Sequence, residues 1–444
     1  MNDHAVSPDR LAPSNDFVPA TRESVLIPTG PEMKSYGCIR SLNQRGIHTI
    51  VAAESPDVPH FDSRYCAERA LLPPFREDLL AYRDTLLDLA ARSDVETIVP
   101  VRECDVYLFA KYREEFDQHV SLVSPDLETL RRSHDRHNLA REAEAAAVPR
   151  AKTWSLSEYD AWDRDVVVKA RYNILTSEYV DHYSPATARE VHDVLFFPAG
   201  ESPDEDALRE RMDHDPIVQE YVSRADKHLY TALWEDGEPQ STYQHKQLRT
   251  RSWVGGAGIY RASAYAEEVE ESAYRLLSQM DWDGYACIEY VKDARTGEWK
   301  FLENNPRVWQ SLPEAVRVGV DFPYHYWLAA RGSPELIDDR YATGIRSHVS
   351  YGELKHLLSI RYDDCPFEEP PSLSRTFVDV VTSCLRDPRF DFIRLDDPRF
   401  FLSAVRSLPG IAFGDRYERS EVPQGSSDVA TRRSPAAEPV GETH

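Results

Sequence analysis

The feature that most constrains this chain is an alternation that starts at Ser24. Apolar runs SVLIPTG, HTIVAAE and ETIVPV are each followed by an amphipathic helical stretch: MKSYGCIRSLNQRG, REDLLAYRDTLLDLAARSD and VYLFAKYREEF. Strands separated by helices pair in parallel, because the return crossover takes a dozen or more residues. The spacing therefore predicts an open parallel α/β domain over residues 21–125. Its first turn, TGPEMKSYG, lacks the G-x-G-x-x-G pattern that lets a pyrophosphate approach a helix N-terminus, which argues against a dinucleotide site there.

Further on the pattern changes. SPDLETLRRSHDRHNLAREAEAAAVP opens on Ser/Asp and stops at Val-Pro, predicting one connector helix over 126–148. Strands DVVVKARY and PIVQEYV mark a small α+β lobe over 149–221. LYTALWED, the helix AEEVEESAYRLLSQM and the hairpin GYACIEYVKDARTGEWKFLENN, turned at Asp293 and Gly297, mark a larger lobe over 222–332. Residues 333–415 read as helical and Pro-interrupted. Residues 1–20 and 416–444, rich in Ser, Pro, Gly and charge, read as disordered tails.

Charge narrows the partners. A formal net charge of −24, from 52 basic and 76 acidic residues, argues against a nucleic-acid backbone as partner. No apolar run approaches the roughly 20 residues that cross a bilayer, and the N-terminus shows neither a secretory nor a transit pattern, so the expectation is a cytoplasmic protein without a membrane partner. Lysine is scarce, and the acid excess has the character of a halophile's surface. Six scattered cysteines without a C-x-x-C pair suggest reduced thiols rather than zinc ligands or disulfides.

The chemistry concentrates in the hairpin. Glu289 on the first strand and Glu303 on the second can aim carboxylates at one point. Strand alternation puts Asn305 and Arg307 on the face of Glu303 and sends Asn304 to the other. Glu289, Glu303 and the Asn305 amide form a hard-oxygen set suited to magnesium, and Arg307 adds a guanidinium for phosphate or carboxylate. Taken alone, Glu289 is more readily a solvated acid in an acidic protein. Arg249 and Arg251 are candidates for a substrate carboxylate, with solvated cations as the alternative. Gly255, Gly256 and Gly258 could admit an anion or simply turn the chain.

The stretch FLENNPRVWQSLPEAVRVGVDFP resembles the E-x-N-P-R signature and following G-V-D-F-P of the ATP-grasp superfamily, in the group of carboxylate–amine ligases related to carbamoyl-phosphate synthetase. In weaker form the resemblance runs over about residues 24–332. It implies an ATP-grasp fold with an N-terminal pre-ATP-grasp domain, a two-lobed ATP-binding region and a helical C-terminal extension. It also implies metal roles for Glu289, Glu303 and Asn305, and a catalytic role for Arg307 facing the transferring phosphate. Lys169 is similar to the lysine on the α- and β-phosphates, and Glu220-Tyr221-Val222 to the interlobe hinge that meets adenine. Asp226 matches the ribose acid, and Lys246, in HKQLR, a cation for the γ-phosphate. Where the family has a lysine at the connector helix start this chain has HDRHN, so Arg136 is the substitute. RYNILTSEYV after Lys169 contains no glycine where many members fold a Gly-rich lid, implying a lid built differently.

The function so implied is an ADP-forming ligase. It would use ATP and two Mg²⁺ ions, with Mn²⁺ as a substitute, to activate a small carboxylate as an acyl phosphate and join it to an amine. A homodimer is the base-rate expectation. Two alternatives share the scaffold: a degenerate ATP-binding sensor, and an ADP-forming carboxylase or acid–thiol ligase.

Overall fold

The structure, a computed structural model, describes residues 23–417. The expected tail over 1–20 lies outside them. So does the C-terminal one from 418, while positions 416 and 417 close the last helix. The N-terminal unit contains β1 (Ser24–Thr29), α1 (Tyr36–Gln44), β2 (His48–Ala53), β3 (Glu68–Leu71), α2 (Leu79–Ala90), β4 (Val95–Ile98), α3 (Glu103–Lys111) and α4 (Arg113–Phe116). Its sheet, ordered β3-β2-β1-β4, is parallel throughout. All six residues of β1 are buried, as befits a strand covered on both faces, whereas the edge strand β3 alternates half-buried and exposed positions and carries Glu68 and Arg69.

The single connector helix expected over 126–148 is instead two, α5 (Leu127–His134) and α6 (Arg136–Ala145). Asp135 breaks it: its backbone is extended and its carboxylate accepts the amides of His137 and Asn138, so it caps a new helix rather than continuing the old one. That break matters later, because it sets Arg136 on the first turn of α6.

The small lobe holds β5 (Thr153–Ser155), β6 (Val166–Lys169), β7 (Leu175–Thr176), β8 (Ala188–Arg189), β9 (Val194–Phe197), α7 (Glu205–Met212) and β10 (Ile217–Glu220), with an antiparallel sheet β5-β10-β6-β9. The large lobe holds β11 (Arg224–Glu235), β12 (Glu238–Ser252), β13 (Gly255–Ser263), α8 (Glu267–Gln279), β14 (Gly284–Asp293), β15 (Trp299–Asn304), α9 (Leu312–Val318) and α10 (Phe322–Ala330). Its antiparallel sheet runs β15-β14-β11-β12-β13-β16, ending on β16 (Arg346–His348). The sequence reading missed β16, taking 333–415 as helical; three residues are too short a run for a period-2 pattern to register. The remaining helices are α11 (Ser350–Tyr362), α12 (Leu373–Arg386) and α13 (Pro398–Tyr417).

The two faces of the six-stranded sheet pack differently. Leu229, Leu233, Tyr243 and Cys287 share one core with α9, α10 and the N-terminal unit, whereas Tyr230, Trp234, Ile288 and Tyr290 pack against α8 and α6. Below β13 a sealed charge network ties the C-terminal region in. Arg261 pairs with Asp391 and lies 3.2 Å from Glu314 on α9, and Arg317 reaches Asp391 at 3.1 Å. Among the described residues no helix is long and apolar enough to cross a membrane.

Candidate active site

The hairpin builds the floor of a cleft. β14 and β15 pair so that Glu289 stands opposite Glu303, while Tyr290 stands opposite Phe301; Leu302 is the extra residue of a bulge. A regular register would turn Leu302 toward the α8 side. The bulge instead lets Leu302 and Glu303 both line the cavity, an aiming device common beside functional sites. Asn304 points the other way, as alternation predicts, accepting the Cys287 amide at 3.1 Å and donating to Ser133 Oγ at 3.2 Å.

Cations meet these acids from the neighbouring elements. Lys227 Nζ on β11 lies 2.9 Å from Glu289 Oε2. Lys169 Nζ, at the end of β6, and Arg136 Nε, on α6, lie 3.4 and 3.3 Å from Glu303 Oε2. Arg307 donates to Asn305 Oδ1 at 3.3 Å and pairs through Nε with Glu103 Oε1 at 2.8 Å. These groups open onto a cavity of about 720 Å³ between the lobes. Its apolar side carries Val167, Val194, Leu195 and Phe196 from the small lobe, and α11 contributes Lys355, Leu358 and Tyr362.

No family model matches the chain, and no curated protein matches it. Solved structures do. The N5-carboxyaminoimidazole ribonucleotide synthetase of Thermotoga maritima superposes with a TM-score of 0.50 at 16% identity, over 72% of this chain and 78% of that one. The biotin carboxylase domain dimer of Hydrogenobacter thermophilus 2-oxoglutarate carboxylase, solved with MgADP, ADP and bicarbonate, gives 0.51 at 14% identity over 70% of each chain. The L-amino acid ligase of Bacillus licheniformis gives 0.50 at 14% identity, over 69% of this chain and 74% of that one. The chain has the ATP-grasp fold.

Within this ATP-grasp fold the sequence-predicted residues divide in two. Lys169, Glu220, Tyr221, Val222, Glu289, Glu303, Asn305 and Arg307 line the cavity, and Arg136 touches it through Glu303. Lys246 and Asp226 do not line it. They pair with each other on the opposite face of the sheet, where Lys246 stands across from His228 in the Tyr230 row. Side chains alternate along a strand, so Lys227, one position beyond Asp226, reaches the cleft from β11 where Asp226 does not. Arg251 lines the cavity. Arg249 is committed to Glu353 at 2.7 Å.

The segments expected to form the hinge and lid already have partners of their own. Glu220 N and Tyr221 N already donate to Lys152 O and Asp165 O, at 2.8 and 3.0 Å, and the Glu220 carboxylate takes Lys300 at 2.7 Å. Arg224 reaches Val254 O at 2.7 Å beside the cavity. The glycine-free segment after Lys169 docks on the connector, the end of β15 and the N-terminal core. Arg171 grips Asp135 through two bonds of 2.9 and 2.7 Å, Asn173 donates to Asn304 O at 3.3 Å, and Ile174 is buried with the α2–α3 core. Gly255 and Gly256, whose φ values of +152° and +88° suit glycine, follow the β12–β13 turn and line the cavity, and Gly256 O accepts Lys227 at 3.1 Å.

The electrostatics follow from burial against charge. Burial opposes ionisation of Glu303, but Lys169, Arg136 and Lys227 outweigh it and hold the carboxyl well below the usual range. Burial, helped by Arg136, lowers the Lys169 ammonium, against the pull of Glu303. Glu103 is likewise buried, yet Arg307 and His134 bring it down to about 2. Sequence reasoning missed Lys227, Glu103 and the α11 wall. Scarce lysine was the available signal for Lys227, which is one of nine in the chain.

Proposed function

We propose that this chain is an ATP-dependent, ADP-forming ligase that activates a small carboxylate as an acyl phosphate and joins it to an amine. The observation that carries the reading is the opposition of Glu289 and Glu303 in register on the cleft floor, each already facing a lysine. The donor set fits magnesium, since Glu289, Glu303 and Asn305 offer hard oxygens at one place and neither sulfur nor imidazole competes among them. Bound there, the metal would neutralise charge on the β- and γ-phosphates.

This chain's own residues supply the rest. Lys169 and Lys227 bring ammonium groups to the floor where phosphate oxygens would lie, and Arg307, held by Glu103, presents a guanidinium beside Asn305. The hinge segment and the apolar side beside Val167 and Phe196 suit an adenine ring. With Glu220 N and Tyr221 N already bonded, its edge must be met by the remaining groups of the segment. The acid's carboxylate oxygen takes the γ-phosphoryl group and ADP leaves; the amine then attacks the acyl carbon and phosphate leaves. No protein nucleophile is needed, because positioning and charge compensation carry phosphoryl transfer.

A second reading, a nucleotide-binding protein that does not ligate, is favoured by one observation: the segment after Lys169 is pinned to the connector and to the end of β15 rather than arched across the cavity. A nucleotide-release screen over amino acids and dicarboxylates, run with magnesium at high salt, separates the two. The ligase reading expects ADP and phosphate in step with amide formation, abolished in Glu303→Gln. AMP with pyrophosphate would overturn it, and tight ATP binding with no substrate-stimulated release would favour the second.

A further inference from the structure

A helix that packs on a globular body normally buries an apolar stripe and turns its polar face to water. α12 does the reverse. Its buried residues are Thr376, Val380 and Ser383, with Ser383 Oγ 3.4 Å from both terminal nitrogens of Arg249. Its outward residues Leu373, Phe377, Val378, Val381 and Leu385 are between 42% and 78% exposed. At 100° per residue these five span an arc of about 140°. Four of them fall at intervals of four, forming one continuous ridge along the helix. Leu354, on the adjoining α11, is exposed as well.

We propose that this face of α12 is where two copies of the chain associate. A single i, i+4 ridge interdigitates with a copy of itself, and a two-fold axis across it gives the self-complementary contact of a homodimer. The size is right. With roughly 150–200 Å² for each whole side chain, the five residues expose on the order of 500 Å² of mainly apolar surface. That is about the apolar share, near 60%, of the roughly 800 Å² each partner buries in a standard interface. Arg375 and Asp379 on the flanking arc supply both signs of charge, so two such faces meet without a uniform like-charge rim.

Other occupants fit less well. Residues 418–444 contain no Leu, Ile, Met, Phe or Trp, so the C-terminal stretch has nothing large to lay over the ridge. A formal net charge of −24 disfavours an anionic lipid surface. The N-terminal stretch, with Leu11 and Phe17, is the remaining intramolecular alternative.

Sedimentation velocity of the full chain over a dilution series tests the proposal. The expected result is a species of twice the chain mass that dissociates on dilution. Phe377→Glu combined with Val381→Glu should give a monomer at every concentration with an unchanged far-UV spectrum. Leu385→Arg, a milder change, should raise the dissociation constant at least tenfold, whereas Leu71→Glu, at an exposed apolar site on β3, should leave it unaltered. Should the double variant unfold, amide hydrogen exchange of the wild-type chain decides: residues 373–386 should exchange faster on dilution. A monomeric wild-type chain, a dimer untouched by the α12 substitutions, or exchange at 373–386 that ignores concentration overturns the proposal. So does a monomer whose α12 becomes dye-reactive only after removal of residues 1–22, which would assign the face to that segment.

Discussion

Two clusters of buried charge in this molecule use the same side chains to opposite ends. Around Arg261 the carboxylates of Glu314 and Asp391 close on the guanidinium in the interior, and all three are fully buried. Around Glu303 and Glu289 the cations come from four elements, β6, α6, β11 and the chain after β15, and the group opens on a cavity. The first can only hold elements together. The second can exchange its internal ion pairs for those of a ligand, because a charge with a way out to solvent need not be neutralised by the protein alone. Burial and pairing therefore do not separate structural from functional charge; the presence of an adjoining void does.

Five tests, one of them a titration, break or sharpen that contrast. The largest effect belongs to the sealed cluster. Arg261→Met leaves Asp391 with Arg317 alone and the buried Glu314 without its partner, and should cost about 3–5 kcal/mol in urea unfolding; a loss under 1 kcal/mol would mean that water reaches the network. Next, Glu303→Gln should lower magnesium-dependent ADP release roughly 10²–10³-fold and, since a carboxyl held down against burial by Lys169 and Arg136 also stabilises the fold, should lower the urea midpoint, though by less than Arg261→Met does. Third is Gly352, where α11 approaches β13 so closely that an added Cβ would sit 2.4 Å from Ile259 Cγ2. Gly352→Ala should cost about 1–3 kcal/mol and, by displacing the α11 wall, raise the KM for ATP more than it lowers kcat.

The fourth test is a pH titration. Burial first, and then Asp391, push the Glu314 carboxyl up to about 8 despite Arg261. The folded chain thus keeps a proton that the unfolded chain gives up near 4.5. Stability should therefore fall as pH rises from about 4.5 to about 8, by at most about 1.4 kcal/mol per unit, and Glu314→Gln should flatten that slope. The smallest effect is expected at Lys246→Met, which should change ADP release less than twofold, whereas Lys227→Met should lower it about tenfold or more. Equal losses would refute the assignment of these lysines to opposite faces.

The sequence made the parallel domain, the two lobes and the hairpin legible, because each depends on a period or a turn signal within a few residues. Glu289, Glu303, Asn305 and Arg307 could be grouped for the same reason, since one tight turn fixes which positions face each other. Lys246 was misplaced because its facing depends on pairing with β11, which nothing near HKQLR records. The Leu302 bulge, the cap at Asp135 and the arrival of α11 over the cleft are likewise outcomes of tertiary packing. SHDRHN reads as uninterrupted helix until Asp135 finds the two amides it caps.

Arg136 also sets how the lobes can move. Besides Glu303 its guanidinium donates to Ala170 O at 2.9 Å and Tyr172 O at 3.2 Å, so one side chain rivets α6, the exit of β6 and the end of β15. A jaw riveted at its back can gape only at its front. Any swing of the small lobe that keeps these bonds pivots about this corner, with travel greatest near β9; if the chain holds nucleotide as proposed, the β9 side is where it would enter and leave.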